Sequence, residues 1–264
     1  MTADDALSHA EQALLEHAAF GRTAVAAGAF TACLATGDAD ALMHVAVPSG
    51  PEPVDWGASV EALVSLGREH GIVPRLEFMG ELHPSLGAAL ERRGFVRASA
   101  DPVMTADLRA ALGSASPAPA GYRRLRGDEG ALVVAFVKTQ AAAFGMPAAT
   151  GYAFLDRLQA TLARGRSMAA ALIEDGAPVA GAVLQLGSSG WSELAGVFTV
   201  PARRRQGLAA AVCAGLLAEA RAAGHGHAWL SAAENARELY ARLGFREVGT
   251  QLNYRYAPFS APAP

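Results

Sequence analysis

Lysine is almost missing from this 264-residue chain: Lys138 stands alone, although Lys and Arg together number 22. A bias toward arginine on that scale reflects a GC-rich genome, and no chemistry is read into it. Charge of either sign is also in short supply, and the net charge of −3 excludes general nucleic-acid or membrane-surface binding as an expected role. Cysteine is scarce: Cys33 and Cys213 sit singly in apolar surroundings, without the paired spacing of a zinc site or a small disulfide framework. That usage fits a reduced compartment. No run reaches about 18 apolar residues, and the opening stretch MTADDALSHAEQALLEH is acidic, without the apolar core of a signal peptide. A cytoplasmic protein is the expectation. The common phosphate fingerprints are absent too, with no Gly-rich loop ending in Lys-Ser or Lys-Thr and no three-glycine dinucleotide turn. His225-Gly226-His227 has the look of a metal pair, but it lies in a Gly-rich turn with no Cys or carboxylate at ligand spacing, so it reads as a loop and no metal is expected.

What the chain does have is apolar content, 52% hydrophobic against 18% charged, enough for a sizeable core in one large or two ordinary domains. Its organising stretch is Glu193 to Ala223, ELAGVFTVPARRRQGLAAAVCAGLLAEARAA. It reads as an apolar strand, a basic turn, and an Ala/Leu-rich helix starting near Gly207. A strand that turns tightly into a helix directs unpaired backbone N–H groups and the positive end of the helix dipole at one spot. Such a spot suits a phosphate. Gly207 allows close approach of a bulky ligand, Ala209 is too small to block it, and Arg203, Arg204 and Arg205 add positive charge.

This turn resembles the signature of the GNAT family of acyl-CoA-dependent N-acetyltransferases, which runs Gln or Arg, two residues, Gly, one residue, then Gly or Ala. Arg204, Gly207 and Ala209 fill those places, with Val197, Thr199 and Pro201 upstream as in the family. A second block, Glu234 to Val248 (ENARELYARLGFREV), is similar to the late helix and final strand of the same fold through Ala236, Leu239, Tyr240, Gly244 and Phe245.

The resemblance implies acetyl-CoA as co-substrate and no metal. Arg204, Arg205, Gln206, Gly207, Leu208 and Ala209 would cradle its phosphates, and backbone N–H groups at Val197, Phe198 and Thr199 would hold the acyl oxygen. An alkyl ammonium has a pKa of about 10, so a base must first take a proton. Glu193, fourteen residues before Gly207, holds the place where several family members keep that base. Tyr240 matches the tyrosine that donates a proton to the departing thiolate. The plainer readings are a solvated strand-end carboxylate for Glu193 and an aromatic packed beside Leu239 and Phe245 for Tyr240. The family often carries an Asn seven residues before that tyrosine, on the pantetheine arm, but here the position is Ala233. Asn235, two residues on, is a cofactor candidate or a helix cap.

Taken in order, residues 8 to 27 read as helix, and strands at Phe30 to Thr36 and Ala41 to Val47 flank the turn Thr36-Gly37-Asp38-Ala39-Asp40. A helix over Ser59 to His70, a strand from Arg75, a helix from Ser85 and a strand over Phe95 to Leu108 complete a first pattern. A linker rich in Ala, Ser, Pro and Gly covers 113–121. A second pattern over 122–258 follows, and then a short tail over 259–264. Shifted by 150 residues the halves align without a gap, Pro51 on Pro201, Gly57 on Gly207, and Gly94-Phe95 on Gly244-Phe245. Under that shift Arg204 becomes Val54, Gln206 becomes Trp56 and Tyr240 becomes Leu90, so the proposed chemistry belongs to the second half alone. The expectation is an α/β protein with mixed sheets, made of two tandem GNAT-like domains. The first (1–112) is degenerate, and the second (122–258) is an N-acetyltransferase acting on an amine of a small molecule or peptide, with neither nucleic acid nor membrane as partner. The alternative is an acyl-CoA-binding regulatory module without turnover.

Overall fold

A computed structural model of the chain describes residues 1–35, 44–111 and 120–257. The expected hairpin turn at 36–40, the linker apart from its last two residues, and the tail over 259–264 lie outside them. The chain forms two compact units, residues 1–103 with 248–264, and residues 104–247. This division departs from a linear one, because the end of the chain belongs to the first unit.

The first unit opens with α1 (Ala3–Ala19), started by a capping box in which Thr2 and Asp5 bond each other's backbone. The helix expected over residues 8 to 27 stops there. Gly21 takes φ 68, and Thr23 and Val25, β-branched and alternating, begin β1 (Thr23–Ala27), which pairs antiparallel with β2 (Phe30–Leu34). Next come β3 (Val45–Pro48), α2 (Gly57–His70), β4 (Arg75–Met79), α3 (Leu86–Glu91) and β5 (Phe95–Asp107), whose last residues fall in the second unit. The chain's last strand, β11 (Arg246–Tyr256), pairs antiparallel with β4, Gln251 opposite Met79 through Arg255 opposite Arg75. Its Tyr254 ring stacks on Phe78 at 5.9 Å and its hydroxyl donates to Glu91 at 3.0 Å, so a residue from the far end of the sequence completes this core.

The second unit holds α4 (Leu108–Ala111), β6 (Tyr122–Arg124), α5 (Gly130–Phe144), α6 (Ala148–Ala163), β7 (Ser167–Glu174), β8 (Ala177–Leu186), β9 (Trp191–Thr199), α7 (Leu208–Ala222), β10 (His227–Ser231) and α8 (Arg237–Arg242). Its strands run in the order β10-β9-β8-β7-β6, antiparallel except for the parallel pair β9 and β10. Burial on both faces follows from side-chain alternation. Ala180, Ala182 and Leu184 of β8 meet the α7 stripe of Val212, Cys213, Leu216 and Leu217, while Ala169 and Ala171 of β7 meet Val133 and Phe136 of α5. Phe136 is fully buried, which is worth roughly 1.5–3 kcal/mol for a side chain of its kind.

The 150-residue shift has structural counterparts. Gly94 and Gly244 both take positive φ, 84 and 90, in the turns before β5 and β11. The helices α2 and α7 start one residue apart under it, at Gly57 and Leu208.

Candidate active site

The second unit's strands part where the candidate base sits. The parallel ladder pairs Trp191 with His227, Ser192 with Ala228 and Glu193 with Trp229, and then ends, although β9 runs on to Thr199. The backbone of β9 beyond Glu193 is therefore open on its β10 side. A β-bulge adds to the divergence. On the β8 side Val183 faces Ala195 and Gly181 faces Phe198, so Gly196 and Val197 together oppose the single residue Ala182. Gly196 takes φ 59, and a Cβ there would lie 2.4 Å from Gln140 Nε2. Any other residue would be strained here and would push the end of the Gln140 side chain aside. The Gln140 amide donates to the Gly196 carbonyl at 2.7 Å and so pins the bulge to α5.

Glu193 is half-buried, and the Gln185 amide, from the residue directly across on β8, donates to its Oε2 at 3.4 Å. Alternation along β9 puts Glu193 on the same sheet face as Ala195, the face that α5 and α6 cover. Trp229, its partner across the parallel ladder, is fully buried, and its indole N–H has no hydrogen-bond partner among the described residues.

At the far end of β9 the turn has the character of an anion site. Arg205 takes φ 64 and Gly207 φ 77, and a Cβ at Gly207 would meet nothing within 4 Å among the described residues. The first N–H groups of α7 have no acceptor within the helix, and Gly207 offers no capping side chain. Gln206 and Ala209 stand beside this opening, while Leu208 packs on the core. The arginines divide their work. Arg203 pairs with Glu174 and donates to Gln206 Oε1 at 3.0 Å. Arg204 donates to the carbonyls of Thr199 at 3.3 Å and Ala143 at 3.2 Å, which braces the turn against β9 and α5. Arg205 is exposed and its side chain has no partner among the described residues.

Tyr240 lies on α8, 8% exposed, in the core cluster with Leu216 and Phe245, its ring edge-on to Phe245 at 6.1 Å. Burial first, then the neighbouring Cys213 thiol, holds its hydroxyl protonated well above the usual tyrosine range. Asn235 is exposed within a 3-10 turn (Glu234–Ala236) and caps no helix: the cap positions are Ala233 and Ala236, and neither makes a side-chain cap bond. The reading of Asn235 as a helix cap is therefore corrected. His225 and His227 have separate fates, the first bonded through Nδ1 to Ser192 Oγ at 2.9 Å, the second stacked on Trp191 at 4.7 Å. No group of three potential metal ligands occurs among the described residues.

The first unit treats the corresponding helix start differently. Trp56 occupies the position before α2, 2% exposed and stacked on Phe30 at 5.2 Å, and the Gly57 N–H donates to the Asp55 carboxylate at 2.9 Å. A carboxylate of the chain itself thus takes up the donor that a bound anion would use.

Comparison with known proteins identifies a family for part of the chain and a fold for nearly the whole of it. The family model described as acetyltransferase (GNAT) family matches residues 134–245, and this part of the chain is a GNAT-family domain. A GCN5-related N-acetyltransferase from Kribbella flavida superposes with a TM-score of 0.77 at 22% identity, over 96% of each chain. One from Sphaerobacter thermophilus superposes at 0.63 and 17% identity, over 89% of this chain and 80% of that one. A tandem GNAT protein from the clavulanic acid biosynthesis pathway reaches 0.59 at 18% identity, over 88% and 79%. At these identities the likeness is one of fold, and it extends across both units. No curated protein matches the chain. The family's acetyl transfer draws on acetyl-CoA, and the open, positively flanked turn at Gly207 fits that group's phosphates.

Proposed function

We propose that the second unit transfers an acetyl group from acetyl-CoA directly to an amine of a small molecule or peptide. The observation that carries this reading is the parting of β9 and β10 at Glu193, with the Gly196 bulge three residues further and the Gly207 turn at the strand's end. One stretch of chain thus lines up a base, a set of freed backbone donors and an anion site.

Acetyl-CoA supplies the activated acyl thioester. Residues 205 to 209 hold its phosphates through backbone N–H groups, with Arg205 adding charge, and Arg204 keeps the turn in shape. Glu193, oriented by Gln185, takes the proton that the ammonium must lose before nitrogen can attack, directly or through one water. Along β9 the N–H groups alternate, so those of Val197 and Thr199 point away from β8 toward the gap between the strands, where negative charge collects on the acyl oxygen, while that of Phe198 falls on the β8 side; because the bulge is fixed in advance these donors need not reorganise. Tyr240 keeps its proton through neutral pH and gives it to the leaving sulfur. Glu193 passes that first proton to solvent; as the new C–N bond forms and the C–S bond breaks, the nitrogen sheds its second proton to Glu193, and Tyr240, having protonated the departing sulfur, recovers a proton from solvent.

The test is calorimetric titration with acetyl-CoA, followed by CoA release over a panel of amines. Amine-dependent release that falls about 10²- to 10⁴-fold in kcat/KM for Glu193→Gln, and that also falls for Tyr240→Phe, supports the assignment. Binding without release for any amine would instead identify an acyl-CoA-binding regulatory module. Unchanged kinetics in both variants would overturn the residue roles.

A further inference from the structure

On the face of the second unit covered by α5 and α6 lies a cleft of about 140 Å³. Its floor is Val183 and Gln185 of β8 with Ala195 and Gly196 of β9, and α6 contributes Phe154 and Arg157 to its wall. Glu193 projects to the same sheet face as Ala195, and Gln185 both lines the cleft and bonds Glu193. The candidate base therefore stands at the edge of this cleft. Arg157, half-buried, is the only charged side chain among those lining it.

The two cleft amides are already engaged, Gln140 with the Gly196 carbonyl and Gln185 with Glu193. Arg157 differs from them in kind. A guanidinium carries five N–H donors in a rigid fork, so it can receive a carboxylate and still keep a neighbour within the protein. Apolar walls from Val183, Ala195 and Phe154 lower the local dielectric and strengthen any pair formed there.

We propose that the acceptor is an amine carrying a carboxylate, bound with its anionic end on Arg157 and its amino group toward Glu193. This rests on the reading of the second unit as an acetyltransferase, and it narrows the substrate class to small zwitterions. One positive and one negative group on the same face select against diamines, whose second ammonium would meet Arg157, and against neutral amines, which leave Arg157 without the added partner. Arg157 is then a residue that determines specificity by touching the substrate away from the reacting nitrogen.

The experiment compares ω-amino acids of two to five carbons with their carboxamides, by calorimetry on the full chain saturated with CoA. CoA lacks the acetyl group, so binding is read apart from turnover. The expected result is tighter binding of the acid by roughly 10- to 100-fold, the range of one charge-assisted pair in a partly desolvated site. That preference collapses toward one in Arg157→Met and returns in part in Arg157→Lys. A change confined to stability would lower both affinities alike and leave their ratio intact. Equal affinity for acid and amide, a preference that persists in Arg157→Met, or no binding of any acid at millimolar concentration overturns the proposal. Acid preference without any acetyl transfer would leave the anion site standing and sink the catalytic reading alone.

Discussion

Gly207 is where cofactor binding can be separated from folding. Its φ of 77 lies in the left-handed region, which costs an L-residue roughly 1–2 kcal/mol, while a Cβ there would meet nothing within 4 Å among the described residues. Gly207→Ala and Gly207→Trp carry the same backbone strain, and in both the added Cβ meets no atom of the described residues within 4 Å. Both should lower the melting temperature by a similar amount, about 2–8 °C for a chain of this size. They differ in what they leave open. A methyl group leaves most of the space before the α7 N–H groups, whereas an indole fills it. If two charge-assisted hydrogen bonds to phosphate are lost, at roughly 1.5–3 kcal/mol each, acetyl-CoA affinity falls more than about 100-fold in Gly207→Trp. Gly207→Ala should lose less than about tenfold. Calorimetry with acetyl-CoA gives the affinities and thermal melts give the strain. A tryptophan variant that binds acetyl-CoA as the alanine variant does would remove the turn from the cofactor site, whatever its stability.

Gly196→Ala should lose roughly 2–3 kcal/mol from left-handed strain and the displaced Gln140 bond, and should lower kcat more than its stability loss explains; thermal melts and steady-state kinetics on the same preparation separate the two. Burial pushes His225 below the usual histidine value of 6.5, so protonation opposes folding. The stability it contributes is present above about pH 6.5 and is lost as pH falls through the lower folded value. The urea midpoint should accordingly drop between pH 7.5 and 5 by less in His225→Gln than in the wild type, and equal drops would remove this histidine as a cause.

The strand, turn and helix from Glu193 to Ala222 were legible because they are local: alternation, an arginine-rich turn and an apolar stripe all lie within thirty residues or so. What escaped was set by partners distant in sequence. The bulge at Gly196 exists only relative to β8, and nothing in GVFT announces that two residues will oppose Ala182. Gln140, Gln185 and Arg157 carry no motif, and they matter because α5, α6 and β8 bring them to one face. Arg204 matched the family's pattern, yet its side chain is committed to two carbonyls, a choice decided by where Ala143 and Thr199 end up. The Ala-rich start of the chain read as one long helix because alanine suits a helix anywhere, and Thr23 and Val25 were too few to outweigh it until β2 supplied a strand to pair with.

On the function proposed above, the contrast between the two units lies in how each treats one helix start. Both start a helix at matching positions after a strand and a loop, and both leave N–H groups there that need an acceptor. In the first unit the loop brings Asp55 onto the Gly57 N–H, and Trp56 is buried against Phe30 where the second unit has an exposed Gln206. An internal carboxylate accepts from one N–H of that terminus, that of Gly57, and its charge opposes a phosphate there. In the second unit the residues at the same places, Arg205 and Gln206, are long, exposed and uninvolved in capping, and Gly207 keeps the approach clear. The difference between a binding turn and a closed one therefore rests on which side of the charge balance two consecutive loop residues fall. It follows that Asp55→Ala should free the Gly57 N–H without supplying the charge that Arg205 gives the second unit, and should not by itself bring phosphate binding to the first.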